Sequence, residues 1–350
     1  MGLKPRGRPD AATVEIGLNA AIASLREGEP VALVVRPGEG QSGATALEAA
    51  QTAAGPADSL PFGPFEPLRH RTLEIGLRSW VKEQTGLDLG YVEQLYTFGD
   101  RGRHARPDDT GPHIVSIGYL ALTRLADEGE AAGQPLHGGV WRSWYLHFPW
   151  EDHRAGRPPI LAEEIEPRLK EWARRPAPRS EPVRPIKRTE RLRVCFGFDG
   201  AGWDEEKVLE RYELLYEAGL LAEAGRDGRE AALNWGVLPR LGSPMRFDHR
   251  RILATAIARL RAKIKYRPVI FELMGEAFTL FELQRTVEAI LGSELHKQNF
   301  RRLVEQGGLV EPSGEVSTET GGRPARLYQF RREVLLERPA PGVRVKPGRG

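Results

Sequence analysis

The long cationic side chains near the end of the chain have the clearest chemistry. Arg301 and Arg302 are adjacent in the segment HKQNFRRLVEQ, where Lys297, Gln298 and Asn299 precede them. A guanidinium group can give two parallel hydrogen bonds to a phosphate or to a guanine edge, and an ammonium group meets a phosphate as a point charge. Amide side chains can read base edges in the same way. This pattern favours contact with a nucleic acid over catalysis.

A second cationic group lies in the sequence GGRPAR, where Arg323 and Arg326 flank a stiff Pro324. Two glycines before Arg323 allow close approach of the backbone to a partner. Arginine side chains on such a loop fit phosphates or the narrow minor groove of DNA. The alternative is a charged hairpin on an ordinary helical domain.

The elements around these arginines occur in the order of a winged helix. Thr279 and Glu282 have the spacing of a capping box, and Gly292 marks the end of the helix that they begin. A second helix follows, in which Phe300 and Val304 point inward, so that Arg301 and Arg302 face outward at 3.6 residues per turn. Two short strands complete a ribbon. The prediction is a winged-helix DNA-binding domain over residues 267–335, followed by a flexible tail over 336–350.

Charge is distributed unevenly along the chain. The net charge is +3, but residues 246–332 contain 16 Lys and Arg against 10 Asp and Glu, a net of +6. The remainder is therefore at −3. A basic C-terminal third indicates a polyanionic partner for that third, although a solvated surface gives the same excess.

An amphipathic helix over Arg71–Leu87 resembles the Nudix box, whose Thr-Gly-Leu end aligns at Thr85–Leu87. In the active family, carboxylates on one helix face gather Mg²⁺ against a diphosphate. The matching positions in this chain are Arg71, Ser79, Trp80, Glu83 and Gln84, and the early glycine position falls at Phe65. Only Glu83 is an acid, and one carboxylate cannot hold a catalytic Mg²⁺ cluster. We therefore assign no catalytic residue and no metal ligand, and we expect no enzyme.

The degenerate box, the segments YVEQLYTFGD and HIVSIGYLAL, and the tail FTLFELQRTVEAILG, NFRRLVEQGGLVEPSG and GGRPARLY together resemble the Nudix-related transcriptional regulators called NrtR. Within that family, the Nudix box without its metal-binding acids and the extra segment at about 150–245 look most like the alphaproteobacterial NadQ regulators. The resemblance implies a homodimeric repressor of NAD biosynthesis genes that binds a palindromic operator. It also implies an adenine nucleotide as effector, ATP first, with NAD or ADP-ribose as alternatives, and no catalytic cofactor.

The residues offer a separate hypothesis for the effector site. Arg69, His70 and Arg71 would bind phosphates without a metal, Tyr96 or Phe98 would stack on the base, and Glu83 would lie at the same site. The alternative is that residues 69–71 form a solvated loop and that the two aromatic side chains belong to the core.

The rest of the pattern predicts an α+β fold, with a Nudix-like α/β/α sandwich over 1–245 and a linker or dimerisation helix over 246–266 before the winged helix-turn-helix. Helical composition is seen over Ala11–Arg26. Strand-like runs lie at 30–35, 91–98, 113–122, 140–148 and LRVCFGF (192–198), and Trp172–Arg188 is typical of a linker.

Other classes are disfavoured. No apolar run approaches the ~18 residues that span a bilayer, which predicts a cytoplasmic protein without a membrane partner. One cysteine excludes an intrachain disulfide. Two rival functions stay open: a metal-dependent Nudix-type nucleotide diphosphatase with an appended winged helix, and an adaptor whose winged helix binds protein.

Overall fold

The computed structural model describes residues 14–35, 57–100, 113–125, 139–176, 184–318, 324–337 and 342–343. The strands are β1 (Val14–Arg26), β2 (Glu29–Val35), β3 (Phe62–Pro64), β4 (Tyr91–Phe98), β5 (His113–Leu122), β6 (Gly139–Ser143), β7 (Val310–Ser317) and β8 (Ala325–Phe330). The α-helices are α1 (Leu73–Thr85), α2 (Glu166–Arg174), α3 (Arg188–Phe196), α4 (Val208–Glu217), α5 (Ala222–Arg226), α6 (Glu230–Leu233), α7 (His249–Ile264), α8 (Leu280–Leu291), α9 (Lys297–Gly307) and α10 (Val334–Glu337).

Strands β1 to β6 form one mixed sheet in the order β4-β5-β1-β2-β6, with β3 paired to β1. β1 runs parallel to β5 from the pair Val14 and His113 to the pair Ala23 and Leu122, and antiparallel to β2 and β3. The strands expected over 30–35, 91–98 and 113–122 are confirmed, while the one at 140–148 ends at Ser143 and continues as a short 3₁₀ helix.

The helix expected over Ala11–Arg26 is wrong, because the described part of this segment is β1. Alternate side chains of β1 are buried on opposite faces of the sheet, with Leu18 and Ile22 on one side and Ala21 and Ala23 on the other. A central strand that is buried on both faces has a continuous apolar run as its sequence. Its many alanines suggested a helix, but tertiary pairing overrides that propensity.

One helix covers each face of the sheet. α1 buries Leu77 and Val81 against the face that carries Leu18 and Ile22. It begins at Thr72, whose hydroxyl accepts a hydrogen bond from the Ile75 amide at 3.2 Å. α7 covers the face that carries Ala21 and Ala23. The first domain is therefore an α/β/α sandwich.

The helix expected over 246–266 is confirmed as α7, but it is not a linker. Its Ile252 lies so close to the sheet that a Cβ added to Gly118 would be 3.0 Å from it. The helix also contacts α4 and α8. Two of its arginines, Arg250 and Arg261, are buried and bind carboxylates and backbone carbonyls. α7 is a central packing element of the molecule.

The chain between β6 and α7 contains helices α2 to α6, and residues 151–245 of it are called the insert. The strand expected at LRVCFGF is wrong. α3 occupies most of it, with Leu192 and Phe196 buried one turn apart and Val194 exposed. A short apolar run does not distinguish a strand from a helix by period alone.

The proline-rich linker expected at Trp172–Arg188 lies partly outside the described residues, but its two ends meet. The Arg188 guanidinium lies 4.3 Å from the centre of the Trp172 ring. It also donates a hydrogen bond of 3.1 Å to each of the Trp172 and Arg175 carbonyls. The two ends of this segment of the insert are thus in direct contact.

The imidazole of His153 makes the stability of the chain depend on pH. Burial lowers the pKa of this histidine to about 4, with Arg211 and Arg261 adding to the effect and Glu151 opposing it. The unfolded chain takes up a proton near pH 6.5, about 2.5 units before the folded one does. Stability should therefore fall as the pH falls from about 6.5 to about 4.

Urea unfolding at several pH values tests this expectation. His153→Gln should flatten the loss of stability in that window, and His296→Gln, which removes an exposed histidine, gives the background. Equal pH profiles for the wild-type chain and His153→Gln would contradict the assignment.

The C-terminal domain has the predicted order of helix, helix and ribbon. Thr279 and Glu282 form both hydrogen bonds of the capping box, at 3.1 and 2.7 Å. α8 ends at Gly292, and α9 follows from Lys297. β7 pairs with β8, and Phe278 adds a bridge to Tyr328. The pairing of β7 with β8 has a register irregularity between Pro312 and Val316.

Within the part of the chain that the structure describes, no helix is long and apolar enough to cross a membrane.

Candidate functional site

α9 presents a cationic face to solvent. Phe300 and Val304 are 1% and 0% exposed and fix the helix on α8. The polar side chains proposed as readers are all exposed, namely Lys297, Gln298, Asn299, Arg301 and Arg302. None of the five side chains has a hydrogen bond or ion pair with another described residue. They are therefore available to an external partner.

The start of α9 adds backbone donors to this face. The residue before the helix, His296, gives no capping hydrogen bond through its side chain. The first-turn N–H groups of a helix have no partner within the helix and carry a partial positive charge. Together with Lys297, they suit a phosphate oxygen.

The ribbon contributes one further described cation. Arg326 is exposed on β8, opposite the exposed Val316 of β7. Arg323 and the two glycines before it lie outside the described residues. The structure thus exposes cations of both α9 and β8 as candidate nucleic-acid contacts, and the role of Arg323 stays a prediction.

The positions that match the Nudix box hold the sandwich together. Trp80 lies against Gly63, where an added Cβ would be 2.3 Å from the indole ring, and its Nε1 donates to the Pro64 carbonyl at 2.8 Å. Gln84 accepts from the Phe62 amide at 3.1 Å and donates to the Phe62 carbonyl at 2.6 Å. These two side chains fasten β3 to α1. Two positions that would carry metal-binding acids therefore serve packing.

The one remaining acid of the box, Glu83, is exposed on α1. Among the residues described, no three His, Cys, Asp or Glu side chains come together as a possible metal site. One carboxylate leaves most of the oxygen ligands of a hard cation to water. The donor set does not fit a catalytic Mg²⁺ cluster.

Restoring an acid at Gln84 should destabilise the domain. Gln84→Glu removes the donor to the buried Phe62 backbone and places a carboxylate beside its carbonyl, at a cost of ~1–3 kcal/mol. Glu83→Gln changes the exposed neighbour on the same helix and should stay within about 0.5 kcal/mol. Urea unfolding of both variants measures the difference, and equal free energies would show that the Gln84 bridge is dispensable.

Arg69, His70 and Arg71 lie in the turn before α1. Arg69 pairs with Glu66 at 3.1 Å on the surface, and Arg71 is exposed. His70 is buried, and its Nδ1 accepts from the Glu66 amide at 3.3 Å. The imidazole thus closes the turn, while the two guanidinium groups stay in contact with solvent.

The structure does not bring Phe98 of the proposed pocket to this turn. His70 and Leu18 both lie against Gly76, on the α1 side of the sheet. Phe98 is 1% exposed on the α7 side, with the Arg251 guanidinium 5.0 Å from its ring centre. Tyr96 is 63% exposed and its ring centre lies 5.3 Å from that of Phe98.

The predicted role of Phe98 in this pocket is therefore wrong, and the roles of the other residues stay predictions. Phe98 is a core residue, and it cannot stack on a base held by the arginines of the turn. Side chains alternate between the two faces of the sheet along β4, and a register irregularity between Gln94 and Thr97 changes this alternation. The sequence therefore does not tell on which face Phe98 lies.

A cleft of about 890 Å³ between the two domains escaped sequence reasoning. Arg124, Arg267 and Arg332 line it without an ion-pair partner among the described residues, beside the aromatic rings of Tyr91 and Phe330. Several glutamates share the wall. The lining residues are spread from β4 to α10, so no local motif reveals the cleft.

Comparison with known proteins identifies the C-terminal domain. Residues 270–330 match the model of the NrtR DNA-binding winged helix domain. These residues form an NrtR-type winged helix. The exposed face of α9 and Arg326 belong to this NrtR-type domain.

One curated relative is the ADPR responsive transcriptional repressor NtrR of Acinetobacter baylyi, 45% identical over 84 residues. The match covers 24% of this chain and spans 33% of the relative's length.

Solved structures extend the likeness to the whole fold. The Shewanella oneidensis NrtR structure with a 27mer DNA has a TM-score of 0.50 at 20% identity and covers 91% of this chain and 94% of its own. A MutT/nudix family protein from Enterococcus faecalis gives a TM-score of 0.48 at 15% identity, over 93% and 90%. The predicted order of an α/β/α sandwich followed by a winged helix is confirmed.

Proposed function

We propose that this chain is a DNA-binding transcriptional repressor. One observation carries the proposal: α9 of an NrtR-type domain exposes three cations and two amides that no described residue engages. The Acinetobacter baylyi relative is a transcriptional repressor, and the Shewanella oneidensis NrtR structure contains DNA. Both observations favour DNA as the partner of α9.

In this proposal, α9 enters the major groove. Arg301 and Arg302 contact base edges or phosphates, and Lys297 with the first-turn amides contacts a phosphate. Gln298 and Asn299 can read adenine through their amide groups. Arg326, together with Arg323, would lie against the phosphates or the minor groove beside the recognition helix.

Two copies of the chain would bind the operator. A symmetric dimer places two recognition helices about one or more helical turns of DNA apart, and it therefore reads a palindrome. We propose that the target genes are those of NAD biosynthesis, as the likeness to NadQ implies.

An adenine nucleotide is the proposed effector of the first domain. The Acinetobacter baylyi relative is ADPR responsive, which favours ADP-ribose over the ATP that the NadQ likeness implies, with NAD as a third candidate. Arg69 and Arg71 are exposed cations that suit its phosphates. The interdomain cleft with Arg124 and Arg267 is the other candidate position.

Calorimetry with ADP-ribose, ATP and NAD tests the two positions. Arg71→Ala should weaken binding at least about tenfold if the turn holds the phosphates, and Arg124→Ala should do so if the cleft holds them. If both variants bind the nucleotides as tightly as the wild-type chain, neither the turn nor the cleft holds the phosphates.

The enzyme is the rival function, and the packing roles of Trp80 and Gln84 weigh against it. Incubation with ADP-ribose and Mg²⁺ separates the two. We expect no release of mononucleotide products above a no-protein control, and steady turnover would favour the diphosphatase.

Gel shifts test DNA binding itself. The duplex upstream of the chain's own gene should bind more tightly than a shuffled duplex, and the affinity should fall steeply with salt, because each phosphate contact releases counterions. Binding without sequence preference and without salt dependence would contradict the proposal and favour the adaptor.

A further inference from the structure

The C-terminal end of α8 is held by groups from the sandwich and from the insert. The Tyr145 hydroxyl donates to the Ala289 carbonyl at 2.6 Å, and Arg261 Nε of α7 donates to the Ile290 carbonyl at 2.8 Å. The His153 amide donates to the Gly292 carbonyl at 2.7 Å. The last carbonyls of a helix have no partner within it and carry a partial negative charge. Here other parts of the chain satisfy them.

Arg261, which makes one of these contacts, also belongs to a buried cluster of charged side chains. Glu151 receives two hydrogen bonds from Arg211 of α4, at 2.6 and 2.8 Å, and one from Arg261 at 2.7 Å. Glu151 is 1% exposed, and both arginine side chains are fully buried. Burial alone would raise the pKa of Glu151, but the two guanidinium groups outweigh it and hold the pKa below its usual value. The carboxylate is therefore charged at neutral pH.

The cluster carries one more positive than negative charge, and backbone carbonyls compensate for the excess. Arg211 donates to the carbonyls of Cys195 and Asp204, at 2.9 and 2.8 Å. Arg261 donates to the Glu205 carbonyl at 3.0 Å as well as to α8. The insert and the end of α8 thus share a single hydrogen-bonded network.

Gly292 lies in close contact with the insert and with Arg261 and Tyr145. A Cβ at this position would lie 2.3 Å from the Glu151 carbonyl oxygen and 2.9 Å from both Arg261 Nη2 and the Tyr145 hydroxyl. Its φ of +70° is also one that favours glycine. No larger residue fits without moving α8 away from the insert.

We infer that the insert is a brace that fixes the winged-helix domain against the sandwich, with Glu151, Arg211 and Arg261 as its joint. Arg261 belongs to α7, which covers the sheet, and the same guanidinium group holds α8. A displacement of α7 therefore moves the first helix of the winged-helix domain. The use of this joint by an effector rests on the proposed function, whereas the brace itself does not.

Distances between spin labels at Glu27, in the β1–β2 turn, and Gln306, on α9, test the brace in the full chain without DNA or nucleotide. The background is Cys195→Ser, so that only the two introduced cysteines are labelled. We expect one narrow distance distribution for the wild-type background. Gly292→Ala should shift or broaden it, because the added Cβ meets the Glu151 carbonyl.

Two further variants keep the test decisive. Tyr145→Phe keeps the ring but removes both hydrogen bonds of the hydroxyl, the one to the Ala289 carbonyl and the one from Arg261 Nη2 at 3.4 Å, and it should broaden the distribution as well. Gly86→Ala places the same left-handed strain at the end of α1 and should leave it unchanged. An unaltered narrow distribution in both Gly292→Ala and Tyr145→Phe would overturn the brace. Because no DNA is present, that failure would leave the proposed DNA binding untouched.

Discussion

Replacing Arg301 and Arg302 together with alanine should weaken binding to the operator duplex by at least about tenfold. Each arginine that contacts a base or phosphate contributes ~1–3 kcal/mol, and 1.4 kcal/mol is a factor of ten. The dependence of log K on log salt should also become shallower by about one unit for each phosphate that the variant no longer neutralises. Fluorescence anisotropy across a salt series measures both quantities.

The control for this double variant removes the same charge elsewhere. Arg174 and Arg193 are exposed arginines of α2 and α3, outside the NrtR-type domain. Their double alanine variant should keep the affinity and the salt slope of the wild-type chain. If the two double variants weaken binding equally, net charge and not the face of α9 determines DNA binding.

Glu151→Gln should give the largest loss of stability, ~3–5 kcal/mol in urea unfolding. The amide keeps the shape of the side chain but leaves Arg211 and Arg261 buried without a counter-charge, which costs far more than the pair contributes. Glu217→Gln is the matched control in the insert, because Glu217 also accepts two hydrogen bonds from one arginine, Arg191, but stays 12% exposed. Its loss should be smaller by several-fold.

The charge of Glu151 should also affect the stability of the chain at low pH. The pKa of Glu151 is lower in the folded chain than in the unfolded one, where a glutamate titrates near 4.3. Its contribution is therefore complete above about pH 4.3 and is lost as the pH falls through the lowered folded value. Glu151→Gln should flatten that acid limb, and a limb of unchanged steepness would contradict the charge cluster.

Local signals in the sequence were sufficient for the C-terminal domain. The Thr279 and Glu282 capping box, the glycine stop at Gly292 and the apolar pair Phe300 and Val304 determine two short helices and the exposed face of α9. Each of these rules acts within one turn of helix, so tertiary contacts did not overturn them. The exposed position of Arg326 followed from the same local pattern.

The structure of the first domain was harder to predict from the sequence because its strands and buried side chains depend on contacts with distant residues. β1 is a strand because β5, about 100 residues away, pairs with it along ten positions. The stacking role predicted for Phe98 was wrong because sequence spacing does not tell on which face of a sheet a side chain lies. The joint of Glu151, Arg211 and Arg261 joins residues 50 to 110 positions apart, and charged residues within helical segments gave no sign of burial.

We expect a nucleotide bound by this chain to change its affinity for DNA. Titrating the chain into its upstream duplex with and without saturating ADP-ribose, ATP or NAD, beside a shuffled duplex, tests it directly. We predict that one of the three shifts the Kd for the upstream duplex by at least about fivefold, the lower end of usual allosteric coupling. Tight, sequence-specific binding with the same Kd under all three nucleotides would contradict the claim.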